Sequence, residues 1–128
     1  MKLLLDTSLL LKAAAGAGLS PGATELINRR DTDPLFSAVS LLELGFRSLL
    51  STDRKPIDVA EFRRELLESG YRELPLTGLH AAWAPNLPLH HGDPFDRLLV
   101  AQAIVEGISL YTENPIIMAY PGPILSAL

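Results

Sequence analysis

The residues of this chain best suited to chemistry are acids. Asp6, Glu43, Asp93 and Asp96 stand out. There is no cysteine, so any bound metal would be held by oxygen or imidazole ligands, and carboxylates suit a hard cation such as Mg2+ or Mn2+. Acids gathered in one place repel one another, whereas a divalent cation neutralises them and meets a phosphate with its remaining positions. Such a set implies phosphodiester chemistry without a histidine base.

Each acid also has a local structural reading. Asp6-Thr7-Ser8 alone suits a turn aspartate that caps the next helix. Ser40 and Glu43 are spaced as a capping box, and a first-turn glutamate is favoured by the helix dipole. In Asp93-Pro94-Phe95-Asp96 the first acid can cap, the proline can open the helix and the second acid can sit in the first turn. The same i, i+3 spacing brings both carboxylates to one side of the helix start. The functional reading rests on their combination, because these acids all follow or adjoin inferred strand ends, where open α/β sheets place their ligand crevice.

The elements that must position them are an apolar strand at Leu3–Leu5 with a helix from Asp6-Thr7-Ser8, and a second helix from Ser20-Pro21 to near Arg30. Asp31–Pro34 reads as a loop, Leu35–Val39 as a strand and the chain from about Ser40 as a helix. Gly70 and Gly107 each stop a helix ahead of a strand, Tyr71–Leu74 and Ile108–Tyr111, and a last short strand fits near Ile124-Leu125. Helices between successive strands predict a three-layer α/β/α fold around a mostly parallel sheet of four or five short strands.

At 128 residues and 48% hydrophobic, the chain fits one domain over residues 1–128. Its net charge of −4 lacks the footprint of a protein that grips duplex nucleic acid through many phosphates, yet it is compatible with carboxylates gathered around cations. The apolar start, Leu3–Leu5, is too short for a signal peptide or membrane span, so a soluble cytoplasmic protein is expected. His80, His90 and His91 lack zinc-site spacing and read as loop or core-edge residues, with contact to RNA an alternative for His90 or His91. Trp83 and Phe95 read as packing residues, with base stacking as the alternative, and no glycine-rich phosphate loop is present.

Taken in order, Leu3-Leu4-Leu5-Asp6-Thr7, Ser37-Ala38-Val39-Ser40-Leu41-Leu42-Glu43, Asp93-Pro94-Phe95-Asp96-Arg97 and Leu110-Tyr111-Thr112-Glu113-Asn114 resemble the successive motifs of VapC-like PIN domains. The resemblance spans nearly the whole chain. It implies a metal-dependent ribonuclease, the toxin of a type II toxin–antitoxin pair, with Mg2+ or Mn2+ as cofactor, RNA as substrate, a cognate antitoxin as partner and a homodimeric state. By the same resemblance Asp6 and Asp96 match the principal metal-binding acids, Glu43 a further active-site acid and Asp93 an additional acid beside the metal. Thr7, Ser8, Arg97, Thr112, Glu113 and Asn114 would support them, Arg97 by orienting the acids or a phosphate. One position departs: many relatives have Thr-x-Asp where this chain has Thr112-Glu113-Asn114, and an amide offers oxygen without charge. That substitution keeps a catalytically weakened or inactive RNA-binding module open as an alternative. A phosphoryl-transfer receiver domain is a second, which lacks a second aspartate near Asp6.

Overall fold

The computed structural model describes residues 1–52, 56–89 and 93–128. In chain order the elements are β1 (Lys2–Leu5), α1 (Thr7–Ala15), α2 (Pro21–Asn28), β2 (Asp33–Ser37), α3 (Ala38–Leu50), α4 (Val59–Glu68), β3 (Arg72–Leu74), α5 (Gly78–Trp83), α6 (Pro94–Glu106), β4 (Ser109–Thr112), α7 (Pro115–Met118) and β5 (Ile124–Ser126). A 3-10 turn, Ala84–Asn86, follows α5.

The strands form one five-stranded parallel sheet in the order β3-β2-β1-β4-β5. Leu3, Leu4 and Leu5 are fully buried, as a central parallel strand covered on both faces requires. Their side chains alternate between two cores. Leu4 joins Leu35, Leu110 and the α6 residues Leu99, Val100 and Ala103, whereas Leu3 and Leu5 join Phe36, Tyr111, the α1 leucines 9 and 10, Ile27 of α2 and Leu66 of α4. These are the layers of an α/β/α sandwich.

Helix ends follow side-chain chemistry. Ser20, Asp58 and Asp93 cap α2, α4 and α6 by accepting from backbone N–H groups in the first turn. Gly107 ends α6 at φ +65°, a left-handed conformation that suits glycine, and its N–H bonds to Ala103 and Ile104 carbonyls.

The second βα unit begins earlier than its sequence suggests. Strand β2 starts at Asp33 inside the expected loop and ends at Ser37, and α3 begins at Ala38 where Ser40 was expected. Pairing explains the shift: Lys2 to Leu4 align with Asp33 to Leu35, and β3 is in register only as far as Ser37–Leu74. Ser37 is therefore the cap, accepting from Val39 N at 2.9 Å. Ser40 and Glu43 form no capping box; both lie inside α3 and are buried. Helix α2 likewise ends at Asn28, short of Arg30.

Candidate active site

In the order β3-β2-β1-β4-β5 the chain leaves β1 toward one edge and later returns to its other side, so the switch point lies between β1 and β4. Parallel strands place a crevice beyond their carboxyl ends at such a point. Asp6 follows β1 there, and Thr112, Glu113 and Asn114 lie at the end of β4. The Asp6 N–H donates to the Tyr111 carbonyl at 3.1 Å, which ties the two strand ends together.

Asp6 caps α1 with Oδ1, which accepts from Leu9 N at 2.9 Å, and receives the Thr112 hydroxyl on Oδ2 at 2.5 Å. It is both the helix cap of the structural reading and a residue of the cleft. Its burial raises the carboxyl above the ordinary aspartate range and nearby Glu113 adds to this, while the Thr112 and Leu9 hydrogen bonds and the Lys12 charge oppose it.

Glu43 projects from the second turn of α3 and is held from two sides. Thr7 Oγ1 donates to Oε1 at 2.7 Å, and Arg47 Nη2 donates to Oε2. Since the single Thr7 hydroxyl proton goes to Glu43, the 2.9 Å contact between Thr7 and Ser40 has Ser40 as donor. A buried chain of hydroxyls thus runs from α3 through α1 back to the carboxylate.

Asp93 caps α6, with Oδ1 accepting from Phe95 N at 2.9 Å and Asp96 N at 3.4 Å. Asp96 sits in the first turn of α6, beside the positive end of the helix dipole. Asn114 caps α7 through Oδ1, which accepts from Ile116 N at 2.9 Å, and its own N–H donates to Thr112 Oγ1 at 3.0 Å. Glu113 pairs with Lys12 of α1.

Asp6, Thr7, Ser8, Glu43, Asp93, Asp96, Glu113 and Asn114 line one cleft of about 360 Å³. Among the described residues the donor set is oxygen-only: carboxylates, hydroxyls and an amide. That chemistry fits Mg2+ or Mn2+. The acids line the cleft without converging: among the described residues, no three of His, Cys, Asp and Glu are close enough together to hold an ion. Glu43 and Glu113 turn to Arg47 and Lys12 instead.

One expected residue is placed elsewhere in this setting, and unexpected ones are brought in. Arg97, expected to orient the acids or a phosphate, has its guanidinium on the carbonyls of Ala84, Leu87 and Pro88 at 3.1, 2.9 and 2.9 Å and lies 5.9 Å from the Tyr120 ring centre. It fastens the segment after α5 to α6. The cations that do pair with acids of the cleft are Lys12, on Glu113, and Arg47, on Glu43; neither was expected, although a Glu-to-Arg i, i+4 spacing was there to find Arg47.

His80 is fully buried, with Nδ1 accepting from Thr77 N at 3.0 Å and Nε2 at 3.1 Å from Glu106, so it serves the α5–α6 packing. His90 and His91 lie outside the described residues. Trp83 and Phe95 pack against the α6-side core, and the Phe95 ring lies 6.4 Å from that of Phe46.

A family model of the PIN domain matches residues 3–121. Three solved structures share the fold across nearly the whole of both chains. One is described as VapBC2 from Rickettsia felis bound to a DNA fragment from its promoter (TM-score 0.71, 16% identity, 98% of each chain covered). Another is DNA-bound VapBC from Salmonella typhimurium (0.66, 17%, 100% of this chain and 99% of that one). The third is a toxin–antitoxin complex from Klebsiella pneumoniae (0.68, 15%, 98% of each). Comparison with curated proteins finds no match.

Proposed function

The chain belongs to the PIN-domain family, a family of nucleases, and from that premise we propose that it is a Mg2+- or Mn2+-dependent ribonuclease, the toxin half of a VapBC-like pair. The observation that carries this reading is the cleft itself, lined at the switch point of the sheet by acids from the end of β1, from α3 and from the start of α6.

Asp6 and Asp96 would hold the cation, with Glu43 and Asp93 as further acids and Asn114 contributing amide oxygen. A bound Mg2+ or Mn2+ would supply charge neutralisation at the phosphoryl oxygens and ease the deprotonation of the water that serves as nucleophile. The protein's own part is to hold the acids in place. Leu9 N and the Thr112 hydroxyl fix the two oxygens of Asp6, so it meets a ligand with little rotamer freedom left to lose. Thr7 fixes the inner oxygen of Glu43. The Asp93 cap holds the first turn of α6, and with it the backbone of Asp96.

The similar structures include two VapBC assemblies and a toxin–antitoxin complex, and a protein partner is proposed here on that basis. A groove of about 580 Å³ lined by Leu42, Phe46, Leu49, Ile57 and Val59 exposes the kind of apolar surface that a partner covers. A homodimer is proposed with it, read by light scattering at micromolar protein. The alternative, a PIN module weakened in catalysis and acting by RNA binding, is favoured by Asn114 and by the spread of the acids.

One assay separates the two. Purified wild type and Asp96→Asn are incubated with RNA in Mg2+, Mn2+ or EDTA. Cleavage by the wild type only with metal, and slower by about a hundredfold in the variant, is expected for the nuclease. No cleavage above the EDTA control, with RNA still bound, would establish the weakened module.

A further inference from the structure

Arg47 is the one part of the cleft that the acids do not account for. Among the described residues lining the cleft it is the only cation, facing Asp6, Glu43, Asp93, Asp96 and Glu113. A polyanion approaching those carboxylates is repelled at short range, and the net charge of −4 provides no general attraction to offset this. A cation at the cleft, whether a bound metal or a protein guanidinium, would offset this.

The geometry of Arg47 suits that task. It lies one turn beyond Glu43 on α3, and Nη2 donates to the Glu43 carboxylate. The two side chains differ in depth, Glu43 being 4% exposed and Arg47 60%. The pair balances the buried charge of Glu43 but uses only one of the Arg47 nitrogens. Glu43 moreover already has the Thr7 hydroxyl on its inner oxygen. A guanidinium carries five N–H donors in a rigid fork that matches phosphate oxygens in pairs. The Glu43 contact engages one nitrogen and fixes the direction of the fork, leaving it at the cleft mouth.

We propose that Arg47 positions the RNA, anchored on Glu43 while it offers the rest of its fork to a backbone phosphate. This rests on the ribonuclease reading for the identity of the substrate. Arg47 is a positioning residue, and its effect belongs to binding and to the ionic part of binding.

The test is fluorescence anisotropy of a fluorescein-labelled single-stranded oligoribonucleotide titrated with the full chain in Ca2+ buffer at several salt concentrations. Wild type, Arg47→Ala and Arg47→Lys are compared, with thermal melts as the control for folding. Arg47→Ala is expected to weaken binding roughly ten- to a hundredfold and to lower the slope of log Kd against log salt by about 0.7, the value of one single-strand phosphate contact. Arg47→Lys should recover the slope but not the full affinity, because an ammonium lacks the fork. Equal affinity and slope in wild type and Arg47→Ala, or no binding by the wild type, overturns the proposal. So does a loss confined to Mn2+ affinity measured by calorimetry, which would leave Arg47 only a holder of Glu43. Arg47-dependent binding without any cleavage by the wild type would sustain the proposal and sink the nuclease reading.

Discussion

Replacing Thr112 with valine removes one hydroxyl from the point where β4 meets Asp6. Thr112 is fully buried and Asp6 is 3% exposed, so water cannot replace what is lost. The hydroxyl donates to Asp6 Oδ2 at 2.5 Å and accepts from Asn114 N at 3.0 Å. A hydrogen bond to a charged group contributes about 1.5–3 kcal/mol and a neutral one about 1 kcal/mol, so the metal-free variant should lose roughly 2.5–4 kcal/mol. For a chain of 128 residues this lowers Tm by roughly 10–15 °C, from an unfolding entropy of about 2.1 cal/mol/K per residue. The loss should depend on charge. In an Asp6→Asn background the same substitution removes only neutral bonds, and the double-mutant cycle should return a coupling of about 1–2 kcal/mol. The deficit should also grow as pH rises, since the lost bond then served an ionised carboxylate. Urea and thermal unfolding in EDTA at pH 5 and pH 8 measure all of this. Equal losses in both backgrounds and at both pH values would refute the hydrogen bond of Thr112 to a carboxyl at Asp6.

Asp6 itself has a raised pKa from burial, so the folded state binds its proton more tightly than the unfolded state does. Its contribution to stability is present below the ordinary aspartate range and is lost as pH rises through the folded value; Asp6→Asn should therefore raise metal-free stability at pH 7 relative to pH 4, and a melt series that moves the other way counts against it. Asn114→Asp keeps the cap on Ile116 N, because aspartate caps as well as asparagine, and adds a charge to the cleft. Calorimetry should find tighter Mn2+ binding and melts a lower metal-free Tm, whereas no change in either would place the residue outside the site. Thr7→Val should cost about 1.5–3 kcal/mol by leaving Glu43 without its 2.7 Å donor, and Thr7→Ser should recover most of it. Equal melts for the two variants would exclude the hydroxyl as the cause.

Local chemistry made much of this legible in the sequence. Asp93-Pro94-Phe95-Asp96 carries its own instructions, and the cap, the proline and the first-turn acid all fall where the residue types put them. Gly70 and Gly107 mark the helix ends ahead of β3 and β4, and the last strand at Ile124 is where it was expected. The error around Ser37 has a physical origin. Ser37 and Ser40 can both cap, and Val39 is β-branched, so local preference allows the strand to run on; the register with β1 and β3 decides the matter, and that is a long-range fact. The same limit applies to Arg97, whose partners Ala84, Leu87 and Pro88 are backbone carbonyls and leave no trace in residue type. The short helices α5 and α7 were missed because they span only six and four residues, too few to show a period. The carboxylates around Asp6 could be gathered from the sequence only by inferring the direction of the strands that precede them.

In the proposed nuclease these acids hold a divalent cation at the ends of β1 and β4. Anomalous diffraction from crystals grown in Mn2+ reads this directly. The expected result is a peak in the cleft among Asp6, Glu43, Asp93 and Asp96 that disappears in Asp6→Asn crystals. A map with no peak there at saturating Mn2+, or with one that persists unchanged in the variant, would contradict it.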